Sequence, residues 1–248
     1  MSGSDARRVP ETRSIDLNAD LGEGFSNDRA LLDLVTSASI SCGAHAGTPL
    51  VIRQTLTDAA ARRVLIGAHP GYPDREGFGR REQESTTSEV IDLITSQITL
   101  LKNLAAEVGA TVSYLKPHGA LYNQAQRDPH VARGVTEVAR LLGWPLLGQP
   151  GTVLEAEARE HGVVYVAEGF PERRYRTDGS LVPRSEPGAS LHLPHEIEEQ
   201  AFRLVSEGQV ATLCIHGDVP GAVATAALLR RVLTARGIPV QSFGSGAG

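Results

Sequence analysis

The sequence predicts a parallel α/β domain, and three observations favour that class. Seven short apolar runs rich in Val, Ile and Leu recur along the chain, each bounded by Gly, Pro, Asn or Asp. Segments with helical periodicity separate these runs, and no linker-like stretch interrupts the series. Because the runs do not alternate strictly with polar residues, they suit strands that are buried on both faces. Periodicity leaves two arrangements open, a distorted closed barrel or an open sheet.

The elements follow from local signals along the chain. Thr48 precedes a proline, Thr86 and Glu89 match a capping box, and Asp128 precedes another proline. Such side chains accept hydrogen bonds from the free N–H groups of a first helical turn, so each predicts a helix start. Two further helices are predicted over residues 195–206 and 222–236. The predicted strands cover residues 14–17, 38–41, 64–68, 112–115, 145–147, 163–167 and 211–215.

The composition narrows the class of function. Acidic residues outnumber Lys and Arg by 29 to 24, which gives a formal net charge of −5, and 41% of the residues are hydrophobic. A chain with this balance folds around a core and suits neither nucleic acid nor an anionic membrane. No apolar stretch approaches the ~18 residues of a membrane-spanning helix. We therefore expect no nucleic-acid partner and no membrane partner.

We expect one domain over residues 14–243, between a disordered N-terminal tail (1–13) and a flexible C-terminal tail (244–248). The first segment is polar and lacks the apolar stretch of a secretory signal. Cys42 and Cys214 are the only cysteines, which is too few for a disulfide framework. Both observations favour a cytoplasmic protein.

Ionisable residues collect directly after the predicted strands. Four of the eight histidines, His45, His69, His118 and His216, occupy such positions. The carboxyl ends of parallel strands share one face of an α/β fold, where such folds place their active sites. Each residue alone has an ordinary explanation, since a loop histidine can bond to backbone and Asp218 can cap a helix. Their coincidence predicts a site. The candidate catalytic residues are Asp20, Glu23, His45, His69, Lys116, His118, His216 and Asp218.

Lysine usage singles out one of these candidates. Lys102 and Lys116 are the only lysines in a chain that otherwise uses arginine as its basic residue. A lysine at a strand end suggests a site that needs a compact ammonium against a carboxylate, a phosphate or an oxyanion. The alternative is an ordinary salt bridge to Asp or Glu within the sheet.

Standard nucleotide and nucleophile motifs are absent from the sequence, which has no P-loop, no G-x-G-x-x-G after a strand and no G-x-S-x-G elbow. Residues 71–81 are rich in Gly and Arg and could form a lid whose Arg80 and Arg81 meet an anionic ligand. The alternative is a solvated surface loop. We expect Cys42 to be a small buried residue rather than a nucleophile.

A divalent metal is a further possibility at the strand ends. Asp20, His45 and His118, with His69 beside them in the set, offer the mixed oxygen and nitrogen ligands that such an ion accepts. No two of these residues are spaced one helical turn apart, so the sequence leaves metal binding open.

Six separated motifs resemble those of one known family. In chain order they are DLNADLGEGF (16–25), CGAHAG (42–47), GAHPGYPD (67–74), GFGRR (77–81), KPHGALY (116–122) and HGD (216–218). On these motifs the chain resembles the LamB/YcsF family, which forms the A subunit of bacterial 5-oxoprolinase. The resemblance extends over roughly residues 14 to 240.

The resemblance implies a distorted seven-stranded (β/α) barrel similar to the barrels of glycoside hydrolases and deacetylases. It implies ATP-dependent opening of the lactam of 5-oxo-L-proline to L-glutamate, with ADP and phosphate formed. ATP would be a cosubstrate together with Mg²⁺. The implied partners are the 5-oxoprolinase subunits B and C, and a homo-oligomer is compatible with them.

Roles for the candidate residues follow from that reaction. Lys116 with Arg80 or Arg81 would steady the negative charge of phosphate or substrate, and Arg173 is a further candidate contact to ATP. Asp20 or His45 would act as the general base on water, with His69 or His118 as the acid. Two rival functions stay open: a metal-dependent amide or sugar hydrolase of the deacetylase type, and a non-catalytic subunit that binds substrate for its partners.

The chain departs from the family pattern at three positions. Thr48 stands where Asp is usual and is also a competent helix cap. Ala44 replaces an aromatic residue, which would enlarge the pocket. Glu172 replaces Asp with a longer arm, so we do not assign it a catalytic role.

Overall fold

The computed structural model describes residues 14–184 and 186–244, and within them seven parallel strands close into a barrel in the order of the sequence. The predicted α/β class and the closed arrangement are therefore confirmed. The strands are β1 (Asp16–Leu21), β2 (Ser37–Ser41), β3 (Leu65–His69), β4 (Val112–Leu115), β5 (Leu146–Gly148), β6 (Tyr165–Gly169) and β7 (Thr212–His216). The helices are α1 (Asp28–Leu32), α2 (Pro49–Ala61), α3 (Thr87–Glu107), α4 (Gly119–Ala125), α5 (Pro129–Leu142), α6 (Val153–Glu160), α7 (Pro194–Ser206) and α8 (Ala222–Ala235).

The first strand is longer than predicted, and this corrects the position of the candidate residue Asp20. Instead of ending at residue 17, β1 continues to Leu21, so Asn18 and Asp20 lie within the strand rather than after it. The reason is backbone pairing on both sides, because Asn18 and Asp20 pair with β2 and with β7. Their polar side chains are tolerated because they point into the barrel, where they meet polar partners.

Alternation along β1 separates the hydrophobic core from the barrel interior. Leu17, Ala19 and Leu21 pack into the main core between barrel and helices. The intervening Asp16, Asn18 and Asp20 are buried on the opposite face of the strand, as the period of two in a strand requires. Ser37, Ser39 and Ser41 of β2 are likewise buried, so the barrel interior is polar on this side.

The barrel is distorted on one side. β1 and β7 pair over five residues, whereas β4 and β5 share the single pair Leu115 and Leu146. The register between β3 and β4 shifts at Gly67, where a Cβ would lie 2.1 Å from the Tyr114 ring. The Tyr114 ring therefore fills the space that a side chain at residue 67 would need.

The predicted capping signals are confirmed. The Thr48 hydroxyl accepts from the backbone of Val51, Thr86 and Glu89 form the reciprocal capping box, and Asp128 caps α5. The short helices α1, α4 and α6 were not predicted from the sequence. Their five to eight residues are too few to show a clear helical period.

The predicted N-terminal tail, residues 1–13, lies outside the described residues, as does the C-terminal tail apart from residue 244. Among the helices that the structure describes, none combines the length and the apolar character needed to cross a membrane.

Candidate active site

Two polar clusters lie side by side at the carboxyl ends of the strands. The lysine cluster consists of Lys116, Asn18, Asp20, Glu168 and Cys214, and its members come from β1, β6, β7 and the residue after β4. The histidine cluster consists of Glu23, His45, His69 and His118. All of these side chains are buried.

In the lysine cluster, one ammonium group is surrounded by acceptors. The Nζ atom of Lys116 lies 2.8 Å from Asp20 Oδ1 and 2.7 Å from Glu168 Oε1. It is also 3.0 Å from Asn18 Oδ1 and 3.0 Å from Cys214 Sγ. Because an ammonium carries three N–H groups, these contacts use its whole donor capacity. Lys116 therefore forms a buried salt bridge with Asp20 and Glu168, which is the alternative to a phosphate or oxyanion contact raised from the sequence. None of its N–H groups is free for a phosphate.

The electrostatics of this cluster favour a charged Lys116–Asp20 pair, although burial raises the pKa of Glu168. Burial works against the charged form of Lys116, yet the nearby Asp20 and Glu168 carboxylates raise its pKa well above the ordinary value. Burial likewise opposes ionisation of Asp20, but the ammonium of Lys116 lowers the pKa of that carboxyl. Asp20 is therefore an ionised, fully engaged partner of Lys116 and a poor general base.

In the histidine cluster, three imidazoles surround one carboxyl oxygen. Glu23 Oε1 lies 3.1 Å from His45 Nε2 and 3.3 Å from His118 Nδ1. His118 Nδ1 lies 3.0 Å from His69 Nε2. The rings of His45 and His118 are stacked, with centroids 3.7 Å apart and planes 3° from parallel.

Backbone carbonyls fix the tautomers of two of these histidines. His69 Nδ1 is 2.8 Å from the Lys116 carbonyl oxygen, and His118 Nε2 is 2.8 Å from that of Phe78. A carbonyl only accepts, so each of these nitrogens must carry a proton. In neutral rings the lone pairs of His69 Nε2 and His118 Nδ1 then face each other beside Glu23. A shared proton or a cation is needed between them.

Burial shifts the titration of this cluster toward neutral side chains. It raises the pKa of Glu23 to about 8 and lowers the pKa values of His45 and His118 to about 4. Proton transfer is most effective when the pKa of the group lies near the working pH. Within the histidine cluster, Glu23 fits that requirement best, because the imidazoles around it are neutral.

Residues 71–81 cover the histidine cluster, which fits the predicted lid better than a solvated loop. The Phe78 ring contacts His45 and His118, with centroids 5.8 and 5.4 Å apart. A Cβ at Gly79 would lie 2.8 Å from His45 Cβ, and Gly79 has a φ of +65°, so a side chain there is doubly excluded. Phe78 and Gly79 of this segment therefore pack directly against His45 and His118.

The two lid arginines differ. Arg80 forms an ion pair with Asp218 after β7 and lies over the Phe78 ring. Arg81 pairs with Asp74 and Glu76 of its own loop, and 62% of its side chain is exposed. The structure therefore brings Arg80 to the site and leaves Arg81 outside it.

A third group of side chains lies near β7 at the mouth of the barrel, which is the end formed by the carboxyl ends of the strands. Glu172 Oε1 is 2.5 Å from His216 Nδ1 and accepts from its backbone N–H at 3.2 Å. The His216 ring stacks on Phe170, with centroids 5.5 Å apart. Burial raises the pKa of Glu172 to about 7. Sequence analysis assigned Glu172 no catalytic role because its side chain is longer than the usual Asp, but the structure makes it an integral member of the site.

The structure gathers all eight candidate catalytic residues at one end of the barrel, together with Arg80. Arg173 follows Glu172 directly in the chain, and its guanidinium donates to the Val182 carbonyl. The proposed metal ligands Asp20, His45 and His118 do not converge as one set. In the described part of the chain, the ligand atoms that lie within 4.8 Å of one another belong to Glu23, His69 and His118, and to Asp20, Cys214 and His216. Sequence reasoning left Asn18, Glu168 and Cys214 unassigned, although polar residues at every second strand position signal an inward face.

A parallel β/α barrel with buried acid–base groups at the carboxyl ends of its strands has the design of a barrel enzyme. Within that class, the chain belongs to the LamB/YcsF family, whose model matches residues 15–247. The family predicted from the six motifs is thereby confirmed.

Curated relatives and solved structures agree with that placement. The A subunit of 5-oxoprolinase from Methylococcus capsulatus is 43% identical over 251 residues, covering 94% of this chain and 96% of that protein. The one from Streptomyces griseus is 44% identical over 248 residues, covering 92% and 99%. A lactam utilization protein from Thermus thermophilus superposes with a TM-score of 0.86 at 40% identity, covering 93% of this chain and 100% of that one.

More distant structures share the fold alone. The catalytic domain of a peptidoglycan N-acetylglucosamine deacetylase from Eubacterium rectale has a TM-score of 0.55 at 13% identity, covering 96% of this chain and 92% of that domain. The predicted likeness to deacetylase barrels is confirmed at the level of architecture.

Proposed function

We propose that this chain is the A subunit of an ATP-dependent 5-oxoprolinase, which opens the lactam of 5-oxo-L-proline to L-glutamate together with subunits B and C. The relatives that it resembles over nearly their whole length carry that name. The observation that supports a catalytic role is the buried Glu23, whose pKa lies near neutrality among three imidazoles.

The chemistry explains why ATP is needed. An unstrained lactam resists water because resonance stabilises its carbonyl, and transfer of the γ-phosphoryl group to the lactam oxygen would make the ring carbon more electrophilic. Water then adds to that carbon, the ring C–N bond breaks, and the nitrogen takes up a proton. The acyl phosphate that results is hydrolysed by a second water to L-glutamate and phosphate. Two proton movements are required, one from water and one to nitrogen.

The histidine cluster is suited to those proton movements. Glu23 contacts His45 and His118 at once, so a proton can pass between the carboxyl and either ring. Lys116 instead keeps Asp20 ionised and in place. We assign acid–base catalysis to Glu23, His45 and His118, and a positioning role to Lys116. Opening of the lid over residues 71–81 would precede substrate entry.

The decisive experiment follows glutamate and phosphate in mixtures of 5-oxoproline, ATP and Mg²⁺, using the purified chain alone and with subunits B and C. Glu23→Gln should lower glutamate formation by about 10²–10⁴-fold. His195→Ala, at an exposed position on α7, is the control and should leave the rate unchanged. Full activity of both Glu23→Gln and His118→Ala would overturn the catalytic assignment. Retained binding of 5-oxoproline in that case would identify a substrate-binding subunit instead.

A metal-dependent amide hydrolase is the second candidate, and one observation favours it. The facing lone pairs of His69 and His118, each ring anchored through its other nitrogen to a carbonyl, match how metal-binding histidines are held. Glu23 supplies a third ligand atom. Bound metal would act as a Lewis acid toward a carbonyl oxygen.

Metal analysis of the purified chain and titration with Zn²⁺ or Mn²⁺ test this second candidate directly. Binding of one ion that is lost in His69→Ala would support it. Two results together would rule out the metal-dependent hydrolase: neither Zn²⁺ nor Mn²⁺ binds, and the metal-stripped chain regains the full ATP-dependent reaction when Mg²⁺ alone is returned. A proton shared between the His69 and His118 rings would then explain their contact.

The proposed setting is the cytoplasm, where ATP is available. The buried Cys42 and Cys214 are both free thiols, which a reducing compartment preserves. Equilibrium sedimentation of the chain with and without subunits B and C would test the assembly and any homo-oligomer.

A further inference from the structure

Two arginines on the segment between β6 and α7 carry N–H groups that have no partner in the described part of the chain. Arg173 is only 6% exposed, and one of its terminal nitrogens donates to the Val182 carbonyl at 2.6 Å. Within residues 14–184 and 186–244, its buried Nε atom has no hydrogen-bond partner, and the same is true of Nη2 of Arg184. Among the described residues, no carboxylate lies within ion-pair distance of either guanidinium.

Both guanidinium groups lie close enough to the mouth to act on its charges. Burial lowers the pKa of His216, and the positive charge of Arg184 lowers it further. At Glu172, burial raises the pKa, and Arg184 is among the groups that oppose this rise. Burial, reinforced by the positive charge of Arg184, lowers the pKa of Arg173 to about 10. The two cations therefore repel each other at the edge of the site.

Such an arrangement is unfavourable in the absence of an anion. A buried donor without an acceptor loses its hydration and gains nothing in return. Two like charges add Coulomb repulsion that solvent screens poorly at a buried site. An oxyanion would satisfy the free N–H groups and the charge together, because a guanidinium pairs readily with the oxygens of a carboxylate or a phosphate.

The other cations at the mouth already have partners. The ammonium of Lys116 is surrounded by four acceptors, and Arg80 is paired with Asp218. Arg173 and Arg184 thus differ from them in having donor capacity to spare.

We propose that Arg173 and Arg184 form an oxyanion subsite that holds a carboxylate or phosphate group of a ligand beside the Glu172–His216 pair. The choice of ligand rests on the proposed function. Under that function, the oxyanion is either the carboxylate of 5-oxoproline or a phosphate of ATP. Whichever source applies, the subsite fixes the ligand at the β7 side of the mouth.

Calorimetric titration of the full chain, alone and with subunits B and C, tests the subsite without relying on turnover. The probes are 5-oxoproline, its neutral analogue 5-oxoprolinamide, inorganic phosphate and ATP. We expect Arg184→Gln to weaken one anionic probe at least tenfold. Arg176→Gln is the matched control, since Arg176 belongs to the same segment but forms an exposed ion pair with Glu186.

The pattern of binding identifies the source. If 5-oxoproline binds at least tenfold more tightly than its amide, and Arg184→Gln removes the difference, the subsite holds the substrate carboxylate. If phosphate and ATP lose affinity in Arg184→Gln while 5-oxoproline does not, it holds a phosphate.

Two further outcomes separate the subsite from the proposed function. Unchanged affinities for every anionic probe in Arg184→Gln, and also in Arg173→Lys, would overturn the proposal. Arg184→Gln removes no buried ion pair among the described residues, so its fold, checked by circular dichroism, should be intact. Anion binding at this subsite without any glutamate formation would instead refute only the proposed function.

Discussion

Asp16 and Asp20 lie four residues apart on β1, and both carboxylates are buried inside the barrel. At the amino-terminal end of β1, which we call the lower end, Asp16 accepts hydrogen bonds from three hydroxyls. These are the hydroxyls of Thr36 at 2.7 Å, Ser37 at 2.8 Å and Thr212 at 2.5 Å. At the upper end, Asp20 meets the ammonium of Lys116. The same strand thus offers the same side chain two different environments.

The outcome differs because hydroxyls orient a carboxylate without neutralising it. Burial raises the pKa of Asp16 to about 6, and the three hydrogen bonds only partly oppose this. At Asp20, burial acts in the same direction, but the full positive charge of Lys116 helps to outweigh it and the pKa is lowered. At the lower end, Asp16 can therefore take up a proton near neutral pH, whereas at the upper end Asp20 and Lys116 stay charged.

Removal of the Lys116 charge should have the largest effect on this contrast. Lys116→Met keeps a long side chain but leaves Asp20 and Glu168 buried without a cation, which should cost about 3–5 kcal/mol in the free energy of unfolding. Urea denaturation measures the change, and Lys102→Met on the outer helix α3 is the control. A loss below about 1 kcal/mol would mean that Asp20 and Glu168 are neutral in the fold.

These partners show what the sequence can and cannot predict. Capping by Thr48, Thr86 and Asp128 depends on neighbours within a few residues and was predictable. The partners of Lys116 come from strands up to 98 residues away, so only their inward positions could be inferred, from polar residues at every second place in β1. Homology supplied the motifs but not these pairings.

The lid shows a second limit. Arg80 and Arg81 are adjacent and chemically identical, and sequence alone cannot say which one faces the site. The answer depends on the turn through Phe78 and Gly79, whose φ angles are +56° and +65°. That turn directs Arg80 toward Asp218 and Arg81 toward its own loop.

Replacement of Asp16 should alter the pH dependence of stability. The folded-state pKa of about 6 lies above the ordinary value of 3.8, so the folded chain binds the proton more tightly. The associated stabilisation is fully present below about pH 4 and is lost as the pH rises through 6, by up to about 3 kcal/mol. Asp16→Asn should remove this component between about pH 4 and 7.

Urea denaturation across that pH range measures the effect, with Asp33→Asn at the exposed end of α1 as the control. An identical pH slope in Asp16→Asn and the original chain would show that Asp16 does not titrate in this range. The three hydroxyls would then be keeping Asp16 ionised. In that case the protonation states of Asp16 and Asp20 would be the same despite their different neighbours.

The smallest effect on stability is expected for replacements in the lid (residues 71–81), which lies between the upper end of the barrel and solvent. The Arg80–Asp218 pair is partly exposed, with 39% of the arginine side chain accessible, so Arg80→Gln should lower the free energy of unfolding by only about 0.2–1 kcal/mol. Its local effect should be larger, because this pair connects the lid to the end of β7. Hydrogen exchange at the Gly79 amide, which donates to the Asp74 carbonyl at 2.7 Å, should accelerate in Arg80→Gln. Arg81→Gln should leave that exchange nearly unchanged, since its partners lie in its own loop. Equal acceleration in both variants would mean that the turn itself, rather than the ion pair across the mouth, holds the histidine cluster closed.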